Sequence, residues 1–249
     1  MYKNFIAAPL LALAVLFSCS EKETSDPGSI TKGYVKGKVV DSKGAPLKNV
    51  QLLIDHTLLY NSYLSGATGD DGTYAIELTS NGGWMAYAEL DVLYNGKTYN
   101  LDMHPENTTG FGKEGAIRNF TWKLTGEKPG AGHYGGTIIL DKAISSSIYD
   151  SENIEFTLTP VGNLIDGSTG SVLKLHHGEP GTDTYGKLQD VAIGRYNVTA
   201  LYKSTAGDVP VKLRNKLINS SAFNTTLQLD FAPSSPVGDN MAVIEYLES

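Results

Sequence analysis

Tyr196, Val198, Ala200 and Tyr202 occupy every second position of one stretch, and Leu227, Leu229 and Phe231 repeat the pattern. Period-two alternation puts an apolar set on one face of a strand. Beyond the first 18 residues, no stretch holds apolar side chains at i, i+3, i+4 and i+7 for three turns, the spacing of an amphipathic helix. The 27 glycines, 14 tyrosines and frequent Thr and Val suit strands and tight turns. The chain is therefore expected to be all-β. Its 249 residues fit one large domain or two.

The amino terminus reads as an address. Lys3 precedes an apolar run from Phe5 to Phe17, interrupted only by Pro9. That run is shorter than the roughly 20 residues a membrane span needs, so residues 1–18 are expected to be a removable secretory signal. Leu16-Phe17-Ser18-Cys19 resembles a bacterial lipobox, in which cleavage leaves an acylated cysteine first, although Phe17 stands where most lipoboxes carry a small residue. Ordinary cleavage leaving a free thiol is the other reading. Cys19 is the chain's single cysteine, so no disulfide framework is possible and the fold rests on hydrophobic burial. Residues 19–29 are polar and read as a flexible tether. Within them, Ser20-Glu21-Lys22-Glu23 is similar to the acidic export signal of Bacteroidetes surface lipoproteins. These resemblances imply a lipid anchor in the outer membrane, facing the cell exterior.

Twenty basic against 27 acidic side chains give a net charge of −7, with no basic run. Nucleic acid and anionic membrane surfaces are poor partners for such a chain. The lipid is the expected membrane attachment.

Residues 30–126 carry the first set of strands. Tyr34 to Asp41 alternates and runs into the Gly44-Ala45-Pro46 turn, and Val50 to Ile54 is continuously apolar. Asp71-Gly72 suits a turn before Tyr74, Ile76 and Leu78 on one face. A strand from Trp84 to Tyr94 ends in Asn95-Gly96, a two-residue hairpin signal. Phe120, Trp122 and Leu124 share a face of the last strand.

Gly37-Lys38-Val39-Val40-Asp41, then Gly44-Ala45-Pro46-Leu47-Lys48-Asn49-Val50, then Thr68 through Asp71-Gly72-Thr73-Tyr74, resembles the carboxypeptidase regulatory-like domain. The resemblance implies a seven-stranded, transthyretin-like sandwich in which the motif residues are architectural, glycine serving turns, proline fixing φ, Val and Tyr filling the core. It implies no catalytic set. Asp55 to Ala67 exceeds the family's usual connection and is expected to be a decorated loop.

Residues 127–133, rich in Gly with one Pro, read as a linker, and 134–249 as a second sandwich of prealbumin-like or immunoglobulin-like kind. Its expected strands are Gly136 to Asp141, Ile154 to Pro160, Val172 to Leu175, Arg195 to Tyr202, Val209 to Leu213, Thr225 to Phe231 and Ala242 to Leu247. Gly194-Arg195-Tyr196-Asn197-Val198 echoes Gly72-Thr73-Tyr74-Ala75-Ile76, which suggests a weak internal duplication.

Chemistry is sparse. His176-His177-Gly178-Glu179 has the H-x-x-E spacing of a zinc pair, but no histidine follows it and the chain is too short for the catalytic domain of metallocarboxypeptidases. A solvated loop is the expected reading. Asp70-Asp71-Gly72 lacks calcium-loop spacing, so it is read as a turn. No G-x-S-x-G, H-E-x-x-H or Walker motif occurs. We therefore expect no enzyme, no metal and no cofactor. Trp84 and Trp122 sit in register with apolar neighbours and are assigned to the core. Tyr60 and Tyr63, with His56 and Asn61, lie in the 55–67 stretch and are candidate ligand contacts: aromatic faces for sugar rings, polar groups for hydroxyls. The alternative is that these tyrosines pin a long loop to the sandwich. The expected function is a non-catalytic surface lipoprotein that binds or presents a glycan or an outer-membrane uptake partner. The alternative is a structural adhesin or surface-assembly subunit using exposed strand edges.

Overall fold

Asn95 and Gly96 both adopt positive φ (48° and 77°), which closes the hairpin between Tyr94 and Lys97 as an Asn-Gly pair should. A computed structural model describes residues 28–79, 81–218 and 221–248. The signal sequence, Cys19 and most of the tether lie outside them. The described part is all-β.

The first module comprises β1 (Tyr34–Val40), β2 (Gln51–His56), β3 (Tyr63–Ala67), β4 (Thr73–Glu77), β5 (Trp84–Tyr94), β6 (Lys97–Asp102), β7 (His104–Pro105), β8 (Ala116–Ile117) and β9 (Phe120–Thr121). One sheet runs β4-β1-β9-β7 with β8 also on β1, and the other runs β3-β2-β5-β6. Val35, Val39, Leu52, Ile54, Trp84 and Phe120 are buried in its core. Each such side chain contributes about 1.5–3 kcal/mol by leaving water. Trp84 and Trp122 are 2% and 8% exposed, so both belong to the core.

The motif residues are architectural, though not all as expected. Thr68 Oγ1 donates to the Leu47 carbonyl (2.6 Å) and accepts from the Val50 N–H (3.0 Å), tying two loops together. Asp71 Oδ1 accepts from the Thr73 N–H and hydroxyl, which makes the turn. Gly37 is not a turn residue. It lies inside β1, where a Cβ would stand 1.9 Å from the Arg118 carbonyl oxygen, so only glycine lets that strand approach. The 55–67 stretch is not a decorated loop either. It is the β2–β3 hairpin, with Asp55 paired to Tyr63. Its uncharged second strand has weak alternation, which hid it from the sequence.

The second module comprises β10 (Gly136–Lys142), β11 (Ile154–Pro160), β12 (Leu173–Leu175), β13 (Lys187–Val191), β14 (Arg195–Ser204), β15 (Gly207–Asn215), β16 (Leu227–Asp230), β17 (Ala232–Ser235) and β18 (Gly238–Glu248). They form one continuous ladder, β12-β11-β14-β15-β18-β10-β13, with β16 on β14 and β17 on β18. β15 pairs with β14 through its first half and with β18 through its second. The β16–β17 segment makes the same crossing, with the buried Phe231 at the change of partner. Strands that switch partners make the corners of a sandwich. The apparent duplication is not a structural repeat: β4 is an edge strand, whereas β14 is central. Tyr74 donates to the Arg118 carbonyl across the sheet, while Tyr196 donates to the Ala192 carbonyl four residues upstream.

The 127–133 segment is a short hairpin and not a loose linker. Glu127 bridges His133, and the Lys128 N–H bonds the Gly132 carbonyl (2.9 Å). The modules also touch directly. Tyr99 donates to the Phe231 carbonyl (2.8 Å), and Tyr94 donates to the Asn163 carbonyl (2.8 Å) while accepting from the Arg195 N–H (3.1 Å). Asp190, at φ 58°, accepts from the N–H groups of Gly126 and Gly135.

Candidate functional site

Two places stand out, the β2–β3 hairpin and a trough where the modules meet. The hairpin contains the residues singled out from the sequence. Alternation of the ladder fixes which way its backbone faces. The His56 N–H bonds the Ser62 carbonyl and the Thr57 N–H bonds the Gly83 carbonyl, so even-numbered residues of β2 face β3. In β3 the paired residues are then Leu64 and Gly66, and Tyr63, Ser65 and Ala67 turn their N–H and C=O groups outward. No described strand pairs with β3 on that side. The edge is uncharged and carries no proline, lysine or bulge, the devices that usually blunt an edge. Of the other edges, β12 has three residues, β13 is interrupted by a bulge opposite β10, and β6 packs toward β17 as β3 does toward β4.

Leu58, Leu59 and Tyr60 form the tip, 80%, 54% and 101% exposed, and Tyr63 is 54% exposed. Asn61 takes the left-handed conformation that reverses the chain (φ 54°). Tyr60, Asn61 and Tyr63 thus share an open hairpin end. His56 does not join them. It is 5% exposed, with its ring edge-on to Trp84 at 4.7 Å, and a Cβ on Gly82 would stand 2.3 Å from its Nε2. Its Nδ1 accepts from the Leu58 N–H (3.3 Å). The residue expected to read hydroxyls instead holds the turn from beneath, because its place at the end of a buried strand face turns it inward.

Sequence reading missed the trough, since its lining comes from distant segments. An apolar groove of about 540 Å³ is lined by Met85, Tyr87, Met103, Pro105, Pro129 and Tyr134, among others. Beside it lies a polar cleft of about 420 Å³ with Glu89, Asn100, Gln189, Asp239 and Asn240. Asp102, Lys128 and Tyr134 line both. Lys128 pairs with Asp102. The Tyr134 hydroxyl meets His104 Nδ1 at 2.9 Å. Burial pushes Tyr134 up to about 12, and burial followed by Lys123 pulls His104 down, so both groups favour their neutral forms. Asn240 Oδ1 is buried with no donor among the described residues. The trough can therefore offer an aromatic wall and an ion pair.

Among the described residues, no group of three or more His, Cys, Asp or Glu side chains could hold a metal ion. His177, expected in solvent, is 5% exposed, with Nδ1 at 2.8 Å from the Gly178 carbonyl and its ring edge-on to Tyr185. Burial beneath the 182–185 loop makes it structural. No described helix is long and apolar enough to cross a membrane.

No family model matches the chain, and no curated protein does. Solved structures give loose likenesses. The Bacillus anthracis TIE protein is 15% identical over 86% of this chain, at a TM-score of 0.33, and this chain spans 33% of its length. A C-terminal fragment of the pilus adhesin SpaC from Lactobacillus rhamnosus GG is 10% identical, with 87% of this chain and 97% of that one covered, at 0.28. The major pilin subunit of Bacillus cereus is 7% identical, with 87% and 99% covered, at 0.26. Likenesses this loose leave function to be argued from the chain itself.

Proposed function

We propose that this is a non-catalytic, lipid-anchored surface protein whose β3 edge receives an extended strand from another chain, as a structural adhesin or assembly subunit would. The observation that supports it most is the open edge: Tyr63, Ser65 and Ala67 present outward backbone groups, and β3 itself carries no charge. Strand addition there gives main-chain bonds for affinity and side-chain contacts at alternate positions for specificity. The test is sedimentation of residues 20–249, alone and with strand-forming peptides, beside Ser65→Lys. Self-association or peptide capture that the lysine abolishes supports the reading. A monomer that captures no peptide refutes it.

A second reading, glycan capture, is favoured by the trough. Sugars combine an apolar ring face with hydroxyls, and Tyr134 lies beside the Asp102–Lys128 pair there. A glycan-array signal lost with Tyr134→Ala but kept with Tyr60→Ala would place it in the trough. The opposite pattern would return it to the hairpin.

A further inference from the structure

The tip of the β2–β3 hairpin does something the edge does not require. Leu58, Leu59 and Tyr60 are consecutive, convex and largely exposed, and no Asp, Glu, Lys or Arg occurs from Thr57 to Gly69. Water is a poor environment for such a tip. A folded partner would need a matching cavity, whereas a fluid apolar phase needs none.

Entry into an apolar phase has one strict demand, which is that backbone N–H groups carry their acceptors with them. The tip meets it. The Thr57 N–H bonds the Gly83 carbonyl (2.9 Å), the Leu58 N–H bonds His56 Nδ1 (3.3 Å) and the Leu59 N–H bonds the His56 carbonyl (3.3 Å). Three successive donors are satisfied from inside the module, and the buried His56 supplies two of the acceptors.

The location agrees. β1 begins beside the end of β4, with Tyr34 opposite Glu77 and the Leu78 N–H on the Gly33 carbonyl (2.8 Å). The 78–83 connection then reaches Gly83, which binds Thr57. The chain therefore leaves toward its amino terminus from the same end of the module as the tip. From Ser20 to Gly33 the tether spans at most about 3.3–3.6 Å per residue, so a membrane holding the tether is within reach of the tip.

We propose that Leu58-Leu59-Tyr60 seats in the interfacial zone of a lipid bilayer, the leucines below the headgroups and the tyrosine at their level. The attachment is apolar. The chain's net charge is −7 and the hairpin has no basic group, so zwitterionic lipid suffices and salt has little effect. The inference is independent of the strand-docking reading, while its argument from location rests on the proposed anchor at Cys19.

The test uses residues 20–249, which contain every described strand, tethered by an amino-terminal hexahistidine tag to phosphatidylcholine vesicles containing a nickel-chelating lipid. Tyr60→Trp places an indole at the tip, over a background from Trp84 and Trp122, both buried. Acyl-brominated phosphatidylcholine should quench that added emission severalfold, at low and high salt alike. Leu93→Trp, exposed near the far end of β5, should be unaffected. Adding Leu58→Asp and Leu59→Asp to Tyr60→Trp should abolish quenching while circular dichroism shows the fold intact. An unquenched tip indole on tethered protein overturns the proposal. So does a concentration-dependent blue shift without lipid, which would make the tip a contact between copies. If strand capture fails while quenching holds, only the strand-docking reading falls.

Discussion

Tyr99→Phe removes one oxygen from the contact between the modules and leaves the packing shape unchanged. Tyr99 is 1% exposed and Phe231 is fully buried, and the hydroxyl donates to the Phe231 carbonyl at 2.8 Å. The substitution strands that carbonyl away from water. An orphaned buried acceptor costs about 1–3 kcal/mol, and an exposed hydroxyl costs about 0.5 or less. With a urea slope of about 2 kcal/mol per molar, the midpoint should fall by roughly 0.5–1.5 M. Tyr87→Phe, at an exposed hydroxyl, is the control. The pH dependence provides a second readout. Burial, then the Asp230 charge, pushes Tyr99 up to about 12, against about 10 in the unfolded chain. The folded state holds its proton more tightly, so this stabilisation is full below about pH 10 and is lost as pH rises toward 12. Tyr99→Phe should flatten the alkaline decline without abolishing it, because Tyr196 is also pushed up to about 12. An unchanged midpoint, or an unchanged alkaline slope, would refute the assignment of this hydrogen bond as a stabilising junction contact.

Two further outcomes follow from the geometry. Gly82→Ala adds a methyl at φ 150°, 2.3 Å from His56 Nε2, and should cost about 1–3 kcal/mol in thermal unfolding while speeding amide exchange at Leu58. In Glu248→Gln the carboxylate that accepts from Ser146 and Ser147 is lost. Those bonds hold its pKa down at about 2, so their stabilisation is full above about 4.5 and disappears as pH falls toward 2. The variant should show a shallower acid transition over that window, and an identical one would contradict it.

Alternation made β5, β11 and β14 legible, since each has one face toward the core, and Asn95-Gly96 fixed a turn by the conformations it permits. β3 was missed because an uncharged edge with half-exposed positions has no contrast between its faces. Tyr60 and Tyr63 lie in the open, while His56 was misjudged because burial at a strand's last position depends on the chain packed over it. Gly37 looked like its turn-forming counterparts, and only the Arg118 carbonyl above it shows otherwise. The trough was illegible for a simpler reason. Met85, Asp102, Lys128 and Asn240 come from separate strands of two modules, and sequence spacing carries no information about such a meeting.

In both modules the first strand lies parallel to a late one. β1 pairs with β9 through Val39–Phe120 and Val40–Thr121, and β10 pairs with β18 from Thr137–Met241 to Lys142–Tyr246. Tension applied between the two ends of a module would pull such neighbours in opposite directions along their length. Their hydrogen bonds would then be sheared together and could not be peeled one at a time. Resistance to force is set by the unfolding rate and not by equilibrium stability. A chain pulled from its two ends would meet the load with its ladders in their stronger orientation.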